Sequence, residues 1–398
     1  YFRDFAENKG KFTPGAQNIA VVNKKGESIG SMMQNAPMMD FSVVSRNGVA
    51  ALVGDQYIVS VAHNVGYSGV DFGMEGSNPD QHRFGYNIVK RHNYKNDSTH
   101  PYMTDYHNPR LAKFVTEAAP IEMVPKMQGS TYGDLEKYPM RVRIGSGRQV
   151  VRDAQDKDTE VSGAYHYRTA GNTFMQGWAN NGEVSLSGDV RYPNQYGSLP
   201  ISGSGGDSGS PMFIYDKTAG KWLINGVLRS GHPYEGKENT YQIARKDYLD
   251  EIIAGDLLSL FDFTAASYDW TTDGNGSGKL TKGNRVAANT PLANYSLPAR
   301  GSDQAFGYGG PNPYMPALHH GKNIYFGNME NGTITLKNNI DQGAGGLTFE
   351  GDFVVQPTID ETWKGAGVSV SEGSTVTWKI KNPAGDRLSK IGQGTLLV

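Results

Sequence analysis

The 398-residue chain contains no cysteine. That absence excludes disulfides, thiolate metal sites and cysteine nucleophiles together. It also suits a protein that crosses an outer membrane unfolded, because no thiol can oxidise on the way. No stretch approaches the roughly 18 uncharged apolar residues that a membrane helix requires; the longest apolar runs are short pieces such as Ile19 to Val22 and Leu257 to Phe261. The opening residues, YFRDFAENKG, lack the apolar core and small-residue cleavage site of a signal peptide, so any export signal is expected to have preceded Tyr1. An excess of one charge is missing as well. With 38 basic and 40 acidic residues, a formal net of −2, the chain has no global field to hold nucleic acid or an anionic membrane.

Glycine and aromatic residues are abundant instead: 51 Gly, 22 Tyr, 15 Phe and 5 Trp. With 37% hydrophobic residues the chain can build large cores, and its length argues for two packed units with a connection. From about Asn18 to Ile243 it reads as many short strands separated by Gly, Asn, Asp and Pro, which describes a β domain. Helical periodicity is convincing at Phe2 to Asn8 and at Arg245 to Ala254, where Tyr248, Leu249, Ile252 and Ile253 share a stripe that stops at Gly255. Residues 262–322 loosen into hairpins and loops, and a boundary belongs there. After Asn323 short alternating strands follow one another, with Val376, Trp378 and Ile380 on one face of a half-buried strand. Such spacing suits a parallel β-helix over 323–398; an all-β sandwich is the alternative. The apolar ending GTLLV is read as a cut through a longer stack.

The strongest chemical signal is Gly206-Asp207-Ser208-Gly209-Ser210-Pro211, a glycine-rich turn that feeds the strand MFIYD. Glycines around a serine let the backbone turn tightly and let the Gly206 and Ser208 N–H groups point at one place beside Oγ, where an oxyanion would sit. A serine needs a base at neutral pH. His63 ends the strand-like run from Tyr57, with the small Ala62 before it. The third member must hold the other imidazole nitrogen, and the nearer carboxylates downstream are Asp71, Asp80, Asp97 and Asp105. Asp71 follows too soon, and Asp80 and Asp97 lie in polar loops. Asp105 opens a segment in which Leu111, Phe114 and Val115 begin a buried stretch, so it belongs at the lip of a core.

The order His63, Asp105, Ser208 with a closing helix resembles that of the chymotrypsin-like double β-barrel peptidases. Within them the chain is similar to passengers of the immunoglobulin-A-protease-like serine autotransporters, nearest the adhesion-and-penetration members. The strings that carry the match include FRDFAENKGKF, MMDFSVVSRNGVAALVGDQYIVSVAHN, NPRLAKFVTEAAPI, GDSGSPMFIYD, QGAGGLTFEGDFVV and TWKGAGVSVSEGSTVTWK, spread over nearly the whole chain. The resemblance implies a mainly β fold: a chymotrypsin-like protease domain over 1–261, connecting hairpins over 262–322, and the first coils of a truncated right-handed parallel β-helix over 323–398. It implies His63, Asp105 and Ser208 at the catalytic positions, with Gly206 and Ser208 as oxyanion donors. A secreted or bacterial surface location follows, with export through periplasm and outer membrane. Implied partners are host extracellular protein substrates, the chain's own passenger, a carboxy-terminal translocator and a second passenger, with no nucleic acid required.

In the wider chymotrypsin-like clan the aspartate before the nucleophile pairs with a buried terminal amine after activation cleavage; here Asp207 is expected to be satisfied by internal hydrogen bonds. The primary pocket is expected between Ser202–Gly205 and Leu228–Pro233, with Ser202, Arg229 and Gly231 as named members. No aspartate lies there to receive a basic side chain, and Arg229 would repel one if it points inward. Asp273 begins like a calcium loop but has Asn284 at the twelfth position, so a plain turn is expected. His319-His320 lacks spaced partners for a metal, and nothing implies a cofactor. The rival from another class is an adhesin whose β-helix does the work beside a vestigial protease domain.

Overall fold

The computed structural model describes residues 1–64, 67–73, 84–94, 105–152, 155, 157–161, 167–173, 177–178, 183–186, 195–231, 239–260, 267–293, 321–327 and 331–398. The fold is mainly β, and its first part contains two large antiparallel sheets beside two two-stranded ones, Ile19–Val22 with Ser28–Met32 and Val150–Arg152 with Asp158–Glu160. The first sheet runs in the order Ala51–Gly54, Tyr57–Val59, Arg110–Leu111, Tyr86–Lys90, Gly69–Val70. Its inward residues, among them Leu52, Ile58, Phe72, Tyr86, Ile88 and Leu111, make one core. The second runs Thr169–Asn172, Arg141–Gly145, Pro211–Asp216, Lys221–Ser230, Asn239–Ile243, Glu183–Leu186, Gly177–Trp178. Strand Pro211–Asp216 is buried on both faces over its first four residues, because the amino-terminal segment covers its outer side. Phe41 meets Phe213 there, and Phe5 packs between Phe12 and Phe41.

The expected first helix is shorter than read, Phe2–Ala6, and the second spans Lys246–Gly255 with Leu249 and Ile252 buried. At Asp256 the helix ends and the solenoid begins. Strand Leu257–Leu260 pairs in parallel with Asn323–Phe326, and Ser267–Thr272 pairs in parallel with Asn331–Leu336. Coil stacking therefore starts well before Asn323, where the change of pattern places it. The reason is that a parallel partner lies in the next coil, so nothing local to Leu257–Leu260 marks its pairing. The hairpins expected in the connection are present as Ser277–Lys282 and Arg285–Pro291, added antiparallel to the solenoid strand Ser267–Thr272 and to each other.

The parallel rows continue through Leu347–Phe349, Val368–Val370 and Lys390–Ile391 on one side. On the other they pass through Asp352–Pro357, Thr375–Trp378 and Thr395–Leu397. In-register parallel pairing rules out the sandwich. Like residues stack inside the coil: Phe326 lies 5.0 Å from Phe349 with planes 8° apart, and Trp363 meets Trp378 edge-on. The Asp273 side chain closes its turn by accepting from the Asn275 and Ser277 N–H groups, an ordinary polar turn. His319 and His320 lie outside the described residues.

Buried polar side chains join the first sheet to the solenoid. Gln56 donates to the carbonyls of Leu111 and Ala344, both at 2.8 Å. Arg110 donates to Gly321 O at 3.0 Å and Ala344 O at 3.1 Å, and Lys113 reaches Asp386 Oδ1 at 2.7 Å.

Candidate active site

Strand Tyr57–Val59 carries the chain toward His63, and the buried guanidinium of Arg91 fixes the turn around it. Arg91 donates to Ala62 O at 3.2 Å and Asn64 O at 2.9 Å, the carbonyls on either side of His63. Asp105 enters beside this turn because the following backbone pairs with the same strand, Ser60 with His107. Its carboxylate accepts twice from one residue: Oδ1 from the His63 N–H at 2.8 Å and Oδ2 from His63 Nδ1 at 2.6 Å. With Nδ1–H given to the carboxylate, the lone pair of Nε2 faces the Ser208 hydroxyl, 2.7 Å away. The carboxylate is 3% exposed and the imidazole 27%, so the charge is sheltered while the imidazole reaches solvent.

The structure thus brings His63, Asp105 and Ser208 into one hydrogen-bonded chain. Asp71 is elsewhere, paired with Arg46 at 2.7 Å. Asp80 and Asp97 lie outside the described residues. Ser208 sits on a turn whose glycines take left-handed backbone, Gly206 at φ 90° and Gly209 at φ 84°. Among the described residues the Gly206 and Ser208 N–H groups have no protein acceptor, the condition that oxyanion donors must meet. Asn64 ties the serine's own carbonyl, donating to Ser208 O at 2.6 Å.

Asp207 is satisfied internally. Its carboxylate accepts from Gly147 N at 2.8 Å and Ser204 N at 2.9 Å and faces Arg143 at 3.4 Å. Burial disfavours the charged guanidinium of Arg143, but Asp207 and Tyr241 outweigh it and move the pKa upward. Behind the base, His107 is buried between the Tyr67 hydroxyl at 2.7 Å and Asn93 Oδ1 at 3.2 Å. Burial first, then Arg91 and the neighbouring histidines, push its pKa well below the usual value, so it is neutral.

Of the expected pocket members, Ser202 and Gly231 converge on one side chain. Asn239 Nδ2 donates to Ser202 Oγ at 2.7 Å, and a Cβ on Gly231 would lie 2.6 Å from Asn239 Oδ1. Arg229 is half-buried at the irregular step between Leu228 and Ser230, and Pro233 lies outside the described residues. Sequence reasoning missed Asn64, Arg91, Arg143, His107 and Asn239. For Arg143 no local signal exists: in Arg141–Gly145 the arginines alternate with Val142 and Ile144 as on a half-solvated strand, yet the strand is buried throughout.

Two antiparallel sheets with an Asp–His–Ser chain, carried on a parallel β-helix, define the class of the serine peptidases mounted on autotransporter stalks. Comparison with known proteins makes this specific: the family described as immunoglobulin A1 protease matches residues 1–247, and the chain belongs to that family. It is 60% identical to an adhesion and penetration protein autotransporter of Haemophilus influenzae over 100% of the chain and 29% of that protein. It is 34% identical to an IgA-specific serine endopeptidase autotransporter of Neisseria gonorrhoeae, over 99% of the chain and 26% of that protein. The chain therefore spans under a third of the length of these relatives. Among solved structures it matches the Haemophilus influenzae Hap adhesin at 58% identity with a TM-score of 0.91, covering 100% of this chain and 43% of that one. A plasmid-encoded toxin passenger of Escherichia coli, 22% identical with a TM-score of 0.68 over 99% of this chain and 36% of that one, shares the fold. Membership in this autotransporter family makes the chain an exported one, secreted or displayed at the cell surface.

Proposed function

We propose that the chain is a serine endopeptidase that cleaves proteins through an acyl-enzyme formed on Ser208. The carrying observation is the continuous contact from Asp105 through His63 to Ser208, at 2.6 and 2.7 Å. His63 Nε2 takes the hydroxyl proton as Oγ attacks the scissile carbonyl, and the negative oxygen is received by the Gly206 and Ser208 N–H groups. The protonated imidazole, steadied by Asp105, gives its proton to the leaving amine. Water, deprotonated by the same nitrogen, then releases the acid and restores the serine. Among the described residues Ser202 and Gly231 meet at Asn239 with no carboxylate bonded to them, and a basic side chain before the scissile bond is disfavoured where Arg229 points inward. Substrates are host extracellular proteins and the protein's own passenger.

The names of the relatives favour a second role beside the first, attachment to host surfaces. The remaining partners are a carboxy-terminal translocator and further passengers. Fluorophosphonate labelling tests the enzyme reading: the reagent should attach to Ser208, and Ser208→Ala should neither label nor cleave casein while unfolding at the parent's temperature. An unlabelled parent would leave only the adhesin, and an alanine variant that still cleaves would overturn Ser208 as the nucleophile.

A further inference from the structure

The nucleophile turn, residues 202–210, is held from behind by one side chain. Arg143 donates from Nη1 to Ser202 O at 3.1 Å and from Nη2 to Ser210 Oγ at 2.9 Å, and lies 3.4 Å from Asp207 Oδ2. A single buried guanidinium thus reaches the start, the middle and the end of the turn. The backbone that leaves its strand closes the same cage, since Gly147 N donates to Asp207 and Arg148 N donates to Gly205 O at 2.7 Å. No side chain fits at Gly147, where a Cβ would lie 2.7 Å from Asp207 Cγ and Asp207 N.

Asp207 stands between the two amides that would receive the oxyanion. Its own N–H is taken by Ser204 O at 3.0 Å and its carbonyl by Ser210 N at 2.9 Å, so placing its carboxylate sets the peptide planes on both sides. A carboxylate that is 4% exposed requires a counter-charge to stay there. Among the described residues Arg143 is the cation beside it.

We propose that Arg143 is a positioning residue that locks Asp207, and through it the Gly206 and Ser208 amides, into the oxyanion-binding shape. This rests on the serine-peptidase reading above. Loss of the guanidinium lets the turn relax so that the amides no longer converge; substrate still docks, and turnover falls. The side chain touches no reacting atom.

The test compares the 398-residue parent with Arg143→Met, Arg143→Lys and Ser208→Ala, measuring unfolding temperature, fluorophosphonate labelling rate, and kcat and KM on a peptide substrate. Folded Arg143→Met should label at least about 100-fold more slowly and lose kcat with KM within about threefold of the parent. Arg143→Lys should recover to within about tenfold at neutral pH and then lose labelling between about pH 8 and 11 as its ammonium deprotonates, a limb the parent lacks. A folded methionine variant that labels at the parent rate overturns the proposal. If that variant does not fold, the lysine variant decides alone: the parent's alkaline profile overturns the proposal, and a new alkaline loss supports it. A parent that does not label removes the peptidase reading and this inference together.

Discussion

The Tyr57 hydroxyl donates to Oδ2 of Asp256 at 2.7 Å. Tyr57 begins the strand that leads to His63, and Asp256 is the residue between the closing helix and the first solenoid strand. Arg110 approaches the same carboxylate at 3.6 Å and His92 at 3.8 Å. One carboxylate therefore ties the histidine-bearing sheet to the start of the stalk.

Desolvation pushes the pKa of Asp256 up, but Arg110, the Tyr57 hydroxyl and His92 outweigh it and hold it below the usual carboxylate value. A depressed folded pKa gives stability that is present above the unfolded value of about 3.9 and is lost as pH falls through the folded one. Resistance to denaturant should therefore fall below about pH 4, and Asp256→Asn should remove part of that acid loss. At pH 7 the asparagine variant should be less stable by about 2–4 kcal/mol, because the buried charge of Arg110 loses its counter-charge. An unchanged acid slope in the variant would contradict this.

His107 predicts a second, distinct pH effect. Its proton is disfavoured by burial first and then by Arg91, so the unfolded chain binds that proton more readily than the folded one. Stability should rise with pH up to about 6.5 and level off above, losing as much as about 1.4 kcal/mol per pH unit on the acid side. His107→Gln should flatten this slope between about pH 5 and 6.5 even though it weakens the contacts to Tyr67 and Asn93. Equal slopes for parent and variant would assign the effect to other groups.

Local chemistry made part of the site legible. Ser208 announces itself through Gly206 and Gly209, which take left-handed backbone in the structure, and His63 through a strand end with a small neighbour. Asp105 was reachable because a sheltered carboxylate marks the edge of a core, and it is 2% exposed. Arg143 and Arg91 were not. A period-two reading assigns the arginines of Arg141–Gly145 to solvent, whereas Arg143 meets the nucleophile turn, Arg141 meets Tyr132 and Met212, and both are buried. The solenoid was legible as repeated short strands, while its first coil was hidden because Leu257–Leu260 finds its partner at Asn323–Phe326, across the intervening hairpins.

Inside the solenoid Phe349 is fully buried, 5.0 Å from Phe326 and 4.9 Å from Phe353 between ring centroids. Phe349→Ala should cost about 3–5 kcal/mol through lost transfer energy and a cavity. The triad makes no contact with this stack, so labelling of the folded variant at 25 °C should stay within about twofold of the parent. A large loss of labelling below the unfolding transition would mean that the coils govern the site.

Gly209 and Gly220 isolate what the nucleophile turn demands of its backbone. Both take left-handed φ, 84° and 66°, a region that disfavours any residue with a Cβ. Their surroundings differ. A Cβ at Gly220 meets nothing within 4 Å, whereas one at Gly209 collides with the Ser60 hydroxyl and the Val49 carbonyl, which are already bonded to each other. Gly220→Ala should therefore cost only the conformational term, about 1 kcal/mol, and label at the parent rate. Gly209→Ala adds the collision, for a total of about 2–4 kcal/mol, and must displace the Gly209 N–H from Leu228 O. Because Ser208 precedes it directly, that displacement moves Oγ away from His63, and labelling should fall at least about tenfold. Equal behaviour of the two alanine variants would show that the turn tolerates movement, and that the tight seat of Ser208 contributes nothing to its reactivity.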